Sequence, residues 1–250
     1  MTTGSGEAEL EAGLIVDALA PGVTRLALNR PRVRNALDLE AVRSLIEAVT
    51  CLVDPVAVLT STHEGMFCAG ADLSVADSER ALVSDLLYEL YEKMVSSPVV
   101  IIAAVDGPAV GGGAQLLLAS DVRMASPAAR IRFAGPGHGL AVGTWGLPSL
   151  IGRGGALDAM LTMRTIAAEE AHSMGLVDRL VSAADLRSSA VELAEAIAGL
   201  DRAAAVRVKR LVVEGTGLRD RLVAERQANG GWAGAVPPPG LTPGAAATDV

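Results

Sequence analysis

The sequence predicts a mixed α/β fold, because two kinds of hydrophobic pattern alternate along the chain. Residues 56–60 (VAVLT) and 99–105 (VVIIAAV) are continuous apolar runs rich in β-branched residues, which is typical of strands buried on both faces. In other stretches, such as 185–200, the apolar residues recur at helical spacing. Both apolar strands run into loops of small residues, where a ligand can approach the backbone closely.

The remaining elements follow from the same periodicities and from turn residues. We expect a hairpin of strands 14–20 and 23–29 joined at Pro21-Gly22, and a helix after the N-cap residue Asp38. Short strands are expected at 122–125 and 130–133, and the glycine-containing stretch 134–142 predicts a loop. Further helices are expected over residues 79–95, 168–173, 185–200, 203–213 and 218–227.

Composition bounds the class of protein. The chain has 250 residues and 50% hydrophobic content, enough for one sizeable core. A net charge of −8 and only 2% aromatic residues argue against a nucleic acid or an anionic membrane as partner. Two cysteines, Cys51 and Cys68, predict no disulfide framework, and with a polar, acidic N-terminus they indicate a cytoplasmic protein. The His and Cys spacing predicts no metal site.

Two loops are candidates for binding a negatively charged oxygen. Gly111, Gly112 and Gly113 open the predicted buried helix 114–119, and the start of a helix offers unpaired N–H groups. The second loop, 67–73 (FCAGADL), follows the strand 56–60. Together they could place two backbone donors on one substrate oxygen. A glycine run taken alone is equally typical of a simple turn or a close helix contact.

Several ordered motifs carry a resemblance to a known family. They are residues 28–31 (LNRP) with 34–37 (RNAL), 67–73, 105–113 (VDGPAVGGG), 121–125 (DVRMA), 143–152 and 168–177. The chain resembles the crotonase superfamily, the enoyl-CoA hydratase/isomerase family, over about residues 14–215. The resemblance implies a ClpP/crotonase-like α/β spiral of ββα units with a C-terminal helical region.

The resemblance also implies how the chain is divided. We expect a flexible N-terminus over 1–12, a spiral core over 13–183 and helices that mediate trimer formation over 184–228. The protein is then expected to be a homotrimer or a dimer of trimers. Residues 229–250 are rich in Gly, Pro and Ala and predict a flexible tail. Trp232 within that tail either docks on a neighbouring surface or is exposed.

By resemblance, the ligand is an acyl-CoA thioester whose carbonyl oxygen is held by two backbone N–H groups. The matching positions are Ala69 and Gly112. No cofactor is expected beyond the coenzyme A moiety of the substrate itself. The expected substrate contacts are Arg32, Val33, Arg34, Ala69, Gly70, Ala71, Asp72, Leu73 and Gly112. The arginines around position 30 can equally belong to a solvated loop, and helix 79–95 is either a wall of the acyl pocket or an ordinary packing helix.

The acid–base residues of the family's hydratases are missing. Gln115 stands at the first glutamate position, and an amide is not a useful base. Gly137 stands at the second glutamate position. His138 is adjacent, and its ordinary pKa would suit a general base, although its setting between glycines leaves its direction open.

Three functions are compatible with this pattern. One is an enoyl-CoA hydratase/isomerase-type enzyme that stabilises an enolate but hydrates 2-enoyl-CoA weakly, because acid–base groups typically contribute 10²–10⁴-fold. Another is a non-catalytic acyl-CoA carrier or sensor in fatty-acid metabolism. The run from Gly139 to Trp145 together with Gln115 resembles mycobacterial relatives of that kind. The third is a structural subunit that binds no coenzyme A.

Overall fold

The structure is a computed structural model, and it describes residues 13–235. The strands are β1 (Leu14–Ala20), β2 (Val23–Leu28), β3 (Val56–Ser61), β4 (Val100–Val105), β5 (Pro108–Val110), β6 (Val122–Ala125), β7 (Arg130–Arg132), β8 (Ile166–Ala167) and β9 (Arg179–Leu180). The helices are α1 (Leu39–Thr50), α2 (Asp77–Ser96), α3 (Gly112–Ala119), α4 (Leu147–Thr162), α5 (Ala168–Ser173), α6 (Leu186–Ala198), α7 (Arg202–Gly215) and α8 (Leu218–Ala228). The mixed α/β prediction is confirmed.

Six strands form the main sheet, in the order β1-β2-β3-β4-β6-β9. The β1–β2 hairpin is antiparallel, and every later neighbour in this sheet pairs in parallel. A second sheet, in the order β5-β7-β8, lies beside it. Parallel strands need crossover connections, and here these carry helices and loops to the faces of the sheet. The loops that follow β3 and β4 therefore leave the same edge of the main sheet, and the site forms there.

Both faces of the main sheet are covered, which explains the continuous apolar runs in β3 and β4. On one face, Val58, Ile102 and Met124 pack against α6. The other face, which includes Leu59 and Ile101, belongs to the larger core that also contains α1, α2 and α3. Because α6 covers the sheet, residues 186–198 belong to the body of the fold as well as to the C-terminal helical region.

Side-chain caps set the starts of two helices, and the sequence predicted the first of them, Asp38. The Asp38 side chain accepts a hydrogen bond from the Ala41 N–H at 2.9 Å, and Asp201 accepts one from Ala204 at 2.7 Å. Such caps satisfy amides that have no partner inside the helix. None of the helices in residues 13–235 combines the length and apolarity needed to cross a bilayer.

A buried lysine ties α7 to the main sheet. The Lys209 ammonium group donates to the carbonyl oxygens of Met94 and Val99, at 3.1 and 2.8 Å, and to the Asp121 carboxylate at 2.8 Å. Asp121 also accepts from the Ile101 N–H. Burial raises the pKa of Asp121, and the Lys209 charge acts in the opposite direction.

Residues 108–110 form the strand β5. Leu82 is 43% exposed, because the buried face of α2 is centred on Val83, Leu87 and Leu90. The prediction of a flexible tail needs correction. Residues 229–235 are hydrogen-bonded to the body of the protein, so this part of the predicted tail is packed. The other tail residues, 236–250, and the predicted flexible segment 1–12 lie outside the described residues.

Candidate functional site

A cavity of about 140 Å³ lies where the loops after β3 and β4 meet. Its walls come from residues 69–73, the start of α3, one face of α2, residues 134–142 and Trp232. Most of the wall is apolar, and α2 contributes Ser84, Leu87 and Tyr88 at helical spacing. Helix α2 therefore packs in the core and also lines the cavity.

The 69–73 loop is held in place by the RNAL segment. The N–H of Leu37 donates to the Gly70 carbonyl at 2.7 Å, and the N–H of Asp72 donates to the Leu37 carbonyl at 2.9 Å. Asn35 is 1% exposed, and its side-chain amide donates to the Phe67 carbonyl at 2.9 Å. These bonds fix the backbone of the loop before any ligand arrives.

The structure corrects the first predicted oxyanion donor. The N–H of Ala69 donates to the Arg34 carbonyl at 3.0 Å, so it is engaged within the protein. Two residues later, the N–H of Ala71 has no hydrogen-bond partner among the described residues. Gly112, the first residue of α3, likewise has an amide that no described residue accepts from. Both Ala71 and Gly112 line the cavity. The candidate pair is therefore Ala71 and Gly112.

Glycines allow the two loops to come this close. Gly70 has a φ of +89°, and a Cβ added to it would lie 2.6 Å from the Val110 carbonyl oxygen and 3.4 Å from the Gly112 nitrogen. A Cβ on Gly113 would lie 2.5 Å from the Cys68 carbonyl oxygen. The loop after β3 and the start of α3 are thus in backbone contact, which the sequence predicted only as a juxtaposition of loops.

Gln115 lies in the wall one turn into α3 and is 4% exposed. Its Oε1 accepts a hydrogen bond from the Trp145 indole N–H at 2.9 Å. Trp145 is fully buried and its ring stacks on Tyr91, with 6.0 Å between ring centroids. The Gln115 amide is therefore held in one orientation by a neighbour that was not expected to contact it.

Glu225 on α8 is a buried carboxylate that is hydrogen-bonded to the cavity wall. It accepts five hydrogen bonds, from the Tyr88 hydroxyl, the Thr144 hydroxyl and the N–H groups of Gly143, Thr144 and Trp145. Burial raises the pKa of Glu225, while the bonds from Thr144 and Tyr88 oppose that shift. Sequence reasoning missed this residue, because nothing in the pattern of α8 distinguishes it from a solvent-facing glutamate.

Comparison with known proteins shows the family to which the chain belongs. A sequence profile described as Enoyl-CoA hydratase/isomerase matches residues 19–233. The chain belongs to the enoyl-CoA hydratase/isomerase family. The putative enoyl-CoA hydratase/isomerase YngF of Bacillus subtilis is 37% identical over 81% of this chain and 83% of its own length. The probable enoyl-CoA hydratase echA6 of Mycobacterium tuberculosis is 37% identical over 70% of this chain and 74% of its own.

Solved structures of the family share the fold. An enoyl-CoA hydratase from Bacillus anthracis is 33% identical and superposes with a TM-score of 0.78, covering 86% of this chain and 89% of its own. A putative enoyl-CoA hydratase from Thermobifida fusca, in complex with acetoacetyl-CoA, is 28% identical with a TM-score of 0.74, covering 87% and 94% of the two chains. The predicted crotonase fold is confirmed.

Gly137, at the second glutamate position, and the adjacent candidate base His138 differ in placement. His138 lines the cavity, whereas Gly137 is absent from the wall and its N–H contacts the Met163 sulfur at 3.0 Å. The His138 Nδ1 is sealed from solvent and has no partner among the described residues. Burial, followed by the charges of Arg132 and Arg80, lowers the pKa of His138, which keeps the imidazole neutral at pH 7.

The predicted coenzyme A contacts divide into two groups. Ala69, Gly70, Ala71, Leu73 and Gly112 line the cavity. Arg32, Val33 and Arg34 are exposed beside it, at the short 3₁₀ turn Pro31–Val33, and do not line it.

Asp72 stabilises its own loop. It is 8% exposed and accepts hydrogen bonds from the Ser74 hydroxyl and N–H. The bond from the Ser74 hydroxyl lowers the pKa of Asp72 most, while burial acts in the opposite direction. The bond from the Ser74 N–H and the charge of Arg30 lower this pKa further. Asp72, one of the predicted substrate contacts, is therefore bonded within its own loop and does not line the cavity.

The C-terminal segment closes one side of the cavity. The Trp232 indole N–H donates to the His138 carbonyl at 2.8 Å, and Trp232 is part of the wall. Asn229 exchanges hydrogen bonds with Ala141, and the buried Arg80 guanidinium donates to the Gly234 carbonyl at 2.8 Å. Of the two possibilities for Trp232, docking is the one observed. Among residues 13–235, no three His, Cys, Asp or Glu side chains cluster closely enough to hold a metal ion.

Proposed function

We propose that this protein binds acyl-CoA thioesters, with the acyl chain in the cavity and the thioester oxygen on the Ala71 and Gly112 amides. The observation that carries the proposal is the pair of unpartnered N–H groups on the wall of a mostly apolar cavity. Buried donors without partners are costly, so an acceptor from a ligand would stabilise them. An oxygen bound between two such amides is also where an enolate would be stabilised.

The size of the cavity favours a short acyl group. An apolar cavity of about 150 Å³ can hold a molecule the size of benzene, and the cavity here is about 140 Å³. The acetoacetyl-CoA bound to the Thermobifida fusca relative carries an acyl group in that size range. We place the adenosine and phosphate groups outside the cavity, where the exposed Arg32 and Arg34 can contact phosphate as charged donors.

We propose that ordinary hydration of 2-enoyl-CoA is weak. No carboxylate is part of the cavity wall within the described residues, and Gln115 and Gly137 stand at the two expected positions. Loss of a general acid or base typically lowers a rate by 10²–10⁴-fold. The protein would then act mainly as an acyl-CoA carrier or sensor.

A catalytic alternative is favoured by one observation, the neutral imidazole of His138 on the cavity wall. It could take a proton from the carbon next to the thioester, as an isomerase requires, or from a water molecule that attacks the third carbon, as a hydratase requires. A crotonyl-CoA assay tests this directly. Turnover that scales with protein concentration and falls at least tenfold in His138→Gln supports catalysis, whereas binding without turnover supports the carrier.

The exposed apolar face of α7 favours self-association. Val208, Leu211 and Val212 are each about 60% exposed, an unusual share for neighbouring aliphatic residues of one helix. We propose a homotrimer or a dimer of trimers that buries this face. Sedimentation equilibrium of the purified protein, with Leu211→Lys as comparison, would reveal a monomer if the proposal is wrong.

Binding itself is tested with a matched pair of ligands. Butyryl-CoA and its S-butyl thioether differ only in the carbonyl oxygen, so the ratio of their dissociation constants isolates the two amide donors. Two hydrogen bonds of about 0.5–1.5 kcal/mol each predict a thioester preference of roughly 5- to 100-fold. Calorimetry that shows equal affinities would reject the oxyanion role, and no binding of either ligand would reject the acyl-CoA proposal.

A further inference from the structure

Gln115 offers the cavity a hydrogen-bond donor whose identity is fixed by Trp145. An indole N–H can only donate, so the Gln115 atom 2.9 Å from it must be the amide oxygen. The other end of the amide, the Nε2 group, accordingly carries two N–H donors. A free glutamine can rotate its amide to suit a donor or an acceptor, and this one cannot do so without losing the indole bond.

The free end of that amide faces the cavity. Nε2 has no hydrogen-bond partner among the described residues. Unlike the His138 Nδ1, which is buried without a partner, Nε2 keeps some accessible surface. Gln115 as a whole is 4% exposed and belongs to the cavity wall, so the remaining accessible surface of its amide opens into the cavity. The protein therefore leaves this donor unpaired at the surface of the cavity, where an acceptor on a ligand can take the place of water.

Trp145 is itself held on several sides, so the orientation is built into the fold. Its ring stacks on Tyr91, whose hydroxyl donates to the Gly112 carbonyl at 3.0 Å. Its backbone N–H donates to Glu225 at 3.2 Å. The same network therefore touches both the start of α3, where the thioester oxygen is placed, and the amide of Gln115.

The position of Gln115 along α3 indicates where the acceptor must be. It lies three residues after Gly112, roughly 4.5 Å along the helix axis, and side chains of a helix lean back toward its N-terminus. Its amide therefore lies within the first few atoms of an acyl chain whose carbonyl oxygen sits at Gly112. An oxygen on the second acyl carbon would lie closer to the carbonyl oxygen than this spacing, so an oxygen on the third acyl carbon is the acceptor that fits it.

We infer that this site selects acyl thioesters that carry an oxygen on the third carbon, the 3-oxoacyl class in particular, through a hydrogen bond from Gln115 that Trp145 positions. The inference rests on the proposed acyl-CoA function and names the substrate class of that same site. A glutamate at position 115 would present acceptor oxygens to the ligand, so it would disfavour the C3 oxygen that glutamine favours. Trp145 does not touch the ligand and acts as a positioning residue.

The test compares ligands that differ only at the third carbon. Acetoacetyl-CoA and butyryl-CoA are titrated by calorimetry into the full-length protein and into Gln115→Met, which keeps the length of the side chain but has no donor. We expect acetoacetyl-CoA to bind three- to tenfold more tightly to the wild type, and that ratio to fall to about one in Gln115→Met. Trp145→Phe, which removes the indole N–H but keeps an aromatic ring beside Tyr91, should lower the ratio as well.

The outcomes separate this inference from the acyl-CoA proposal. Equal affinities in the wild type, or a preference that persists in Gln115→Met, would overturn the role of Gln115 while butyryl-CoA binding still supports the general function. No binding of either thioester would overturn both. Circular dichroism shows whether Gln115→Met folds. If it does not, the wild-type protein alone provides the test. Acetoacetyl-CoA and 3-hydroxybutyryl-CoA both carry an oxygen on the third carbon, so both must then bind more tightly than butyryl-CoA.

Discussion

The Tyr88 hydroxyl lies 2.9 Å from Oε1 of Glu225, so a residue in the cavity wall is hydrogen-bonded to the last helix of the chain. The two residues are 137 positions apart in the sequence. Glu225 also accepts from the backbone of residues 143–145, which carry Trp145. Helix α8 is thereby part of the support for the site, and its removal would affect both walls of the cavity.

Replacing Glu225 should therefore destabilise the protein strongly. In Glu225→Ala, several buried donors lose their acceptor at once, and each unsatisfied group costs about 1–3 kcal/mol. We expect the free energy of unfolding, measured by urea denaturation, to fall by roughly 3 kcal/mol or more. Glu214→Ala provides the control, since that carboxylate is 61% exposed on α7 and its removal should change stability by less than about 0.5 kcal/mol. Similar losses in both variants would contradict the supporting role.

The sequence predicted those parts of the site that depend on a local backbone pattern. It did not predict hydrogen bonds between residues that are far apart in the chain. The glycines at 111–113 and the loop 67–73 identified correctly which two loops meet, because small residues at strand ends have a backbone reason to be there. The resemblance implied Ala69 where the structure favours Ala71, because matching motifs do not show the direction of an N–H. It becomes clear only from the bond that Ala69 makes to the Arg34 carbonyl.

Glu225 and Trp232 show the other limit. Each contacts the site through tertiary packing of a segment whose own pattern is polar or glycine-rich, so no periodicity marks it. Gln115 was identified as the residue that replaces a base, yet its bond to Trp145, which decides what it can offer a ligand, joins elements that are 30 residues apart. The fold class could be predicted because hydrophobic periodicity is local, whereas the hydrogen-bond network of the site is not.

Lys209→Met should destabilise the protein in a pH-dependent manner. The substitution leaves the Asp121 carboxylate buried without its cation, which costs up to roughly 3 kcal/mol at pH 7. The folded pKa of Asp121 is already raised above 3.8 by burial, and without the lysine it would rise further. The folded state then binds the proton more tightly than the unfolded state, so stability falls as pH rises through the raised pKa and recovers toward pH 4.

Urea denaturation at pH 4 and pH 7 measures this effect as the difference between wild type and variant. The loss should be smaller at the lower pH. Arg210→Met is the matched control, because that side chain is 63% exposed on the same helix. A second variant, Lys209→Met with Asp121→Asn, should recover part of the stability at pH 7. A loss that is identical at both pH values would show that the lysine contributes through packing alone.

Gly113→Ala should disturb the contact between the two candidate binding loops. The new Cβ would lie 2.5 Å from the Cys68 carbonyl oxygen and 2.8 Å from the Cys68 Cβ, and backbone on both sides prevents an easy adjustment. We expect a loss of about 1–3 kcal/mol in unfolding free energy from overpacking, and weaker butyryl-CoA binding. Gly215→Ala, in α7 with nothing within 4 Å of its added Cβ, should instead be neutral or stabilise by up to about 1 kcal/mol. Wild-type behaviour of Gly113→Ala would show that the loops are not in the tight contact described here.

Trp232→Ala should broaden the range of acyl chains that the cavity accepts. The indole forms part of the cavity wall and is held by its bond to the His138 carbonyl, so its removal opens that side without touching the Ala71 and Gly112 amides. Octanoyl-CoA should gain affinity relative to butyryl-CoA by on the order of tenfold, because about 0.8 kcal/mol is available for each additional methylene that becomes buried. Trp232→Phe keeps an aromatic wall but loses the hydrogen bond, and its ratio of octanoyl-CoA to butyryl-CoA affinity should stay near that of the wild type. If both variants shift this affinity ratio equally, the hydrogen bond from Trp232 to the His138 carbonyl is what holds the C-terminal segment against the cavity. If neither does, the acyl chain does not run toward Trp232 and must leave the cavity along α2.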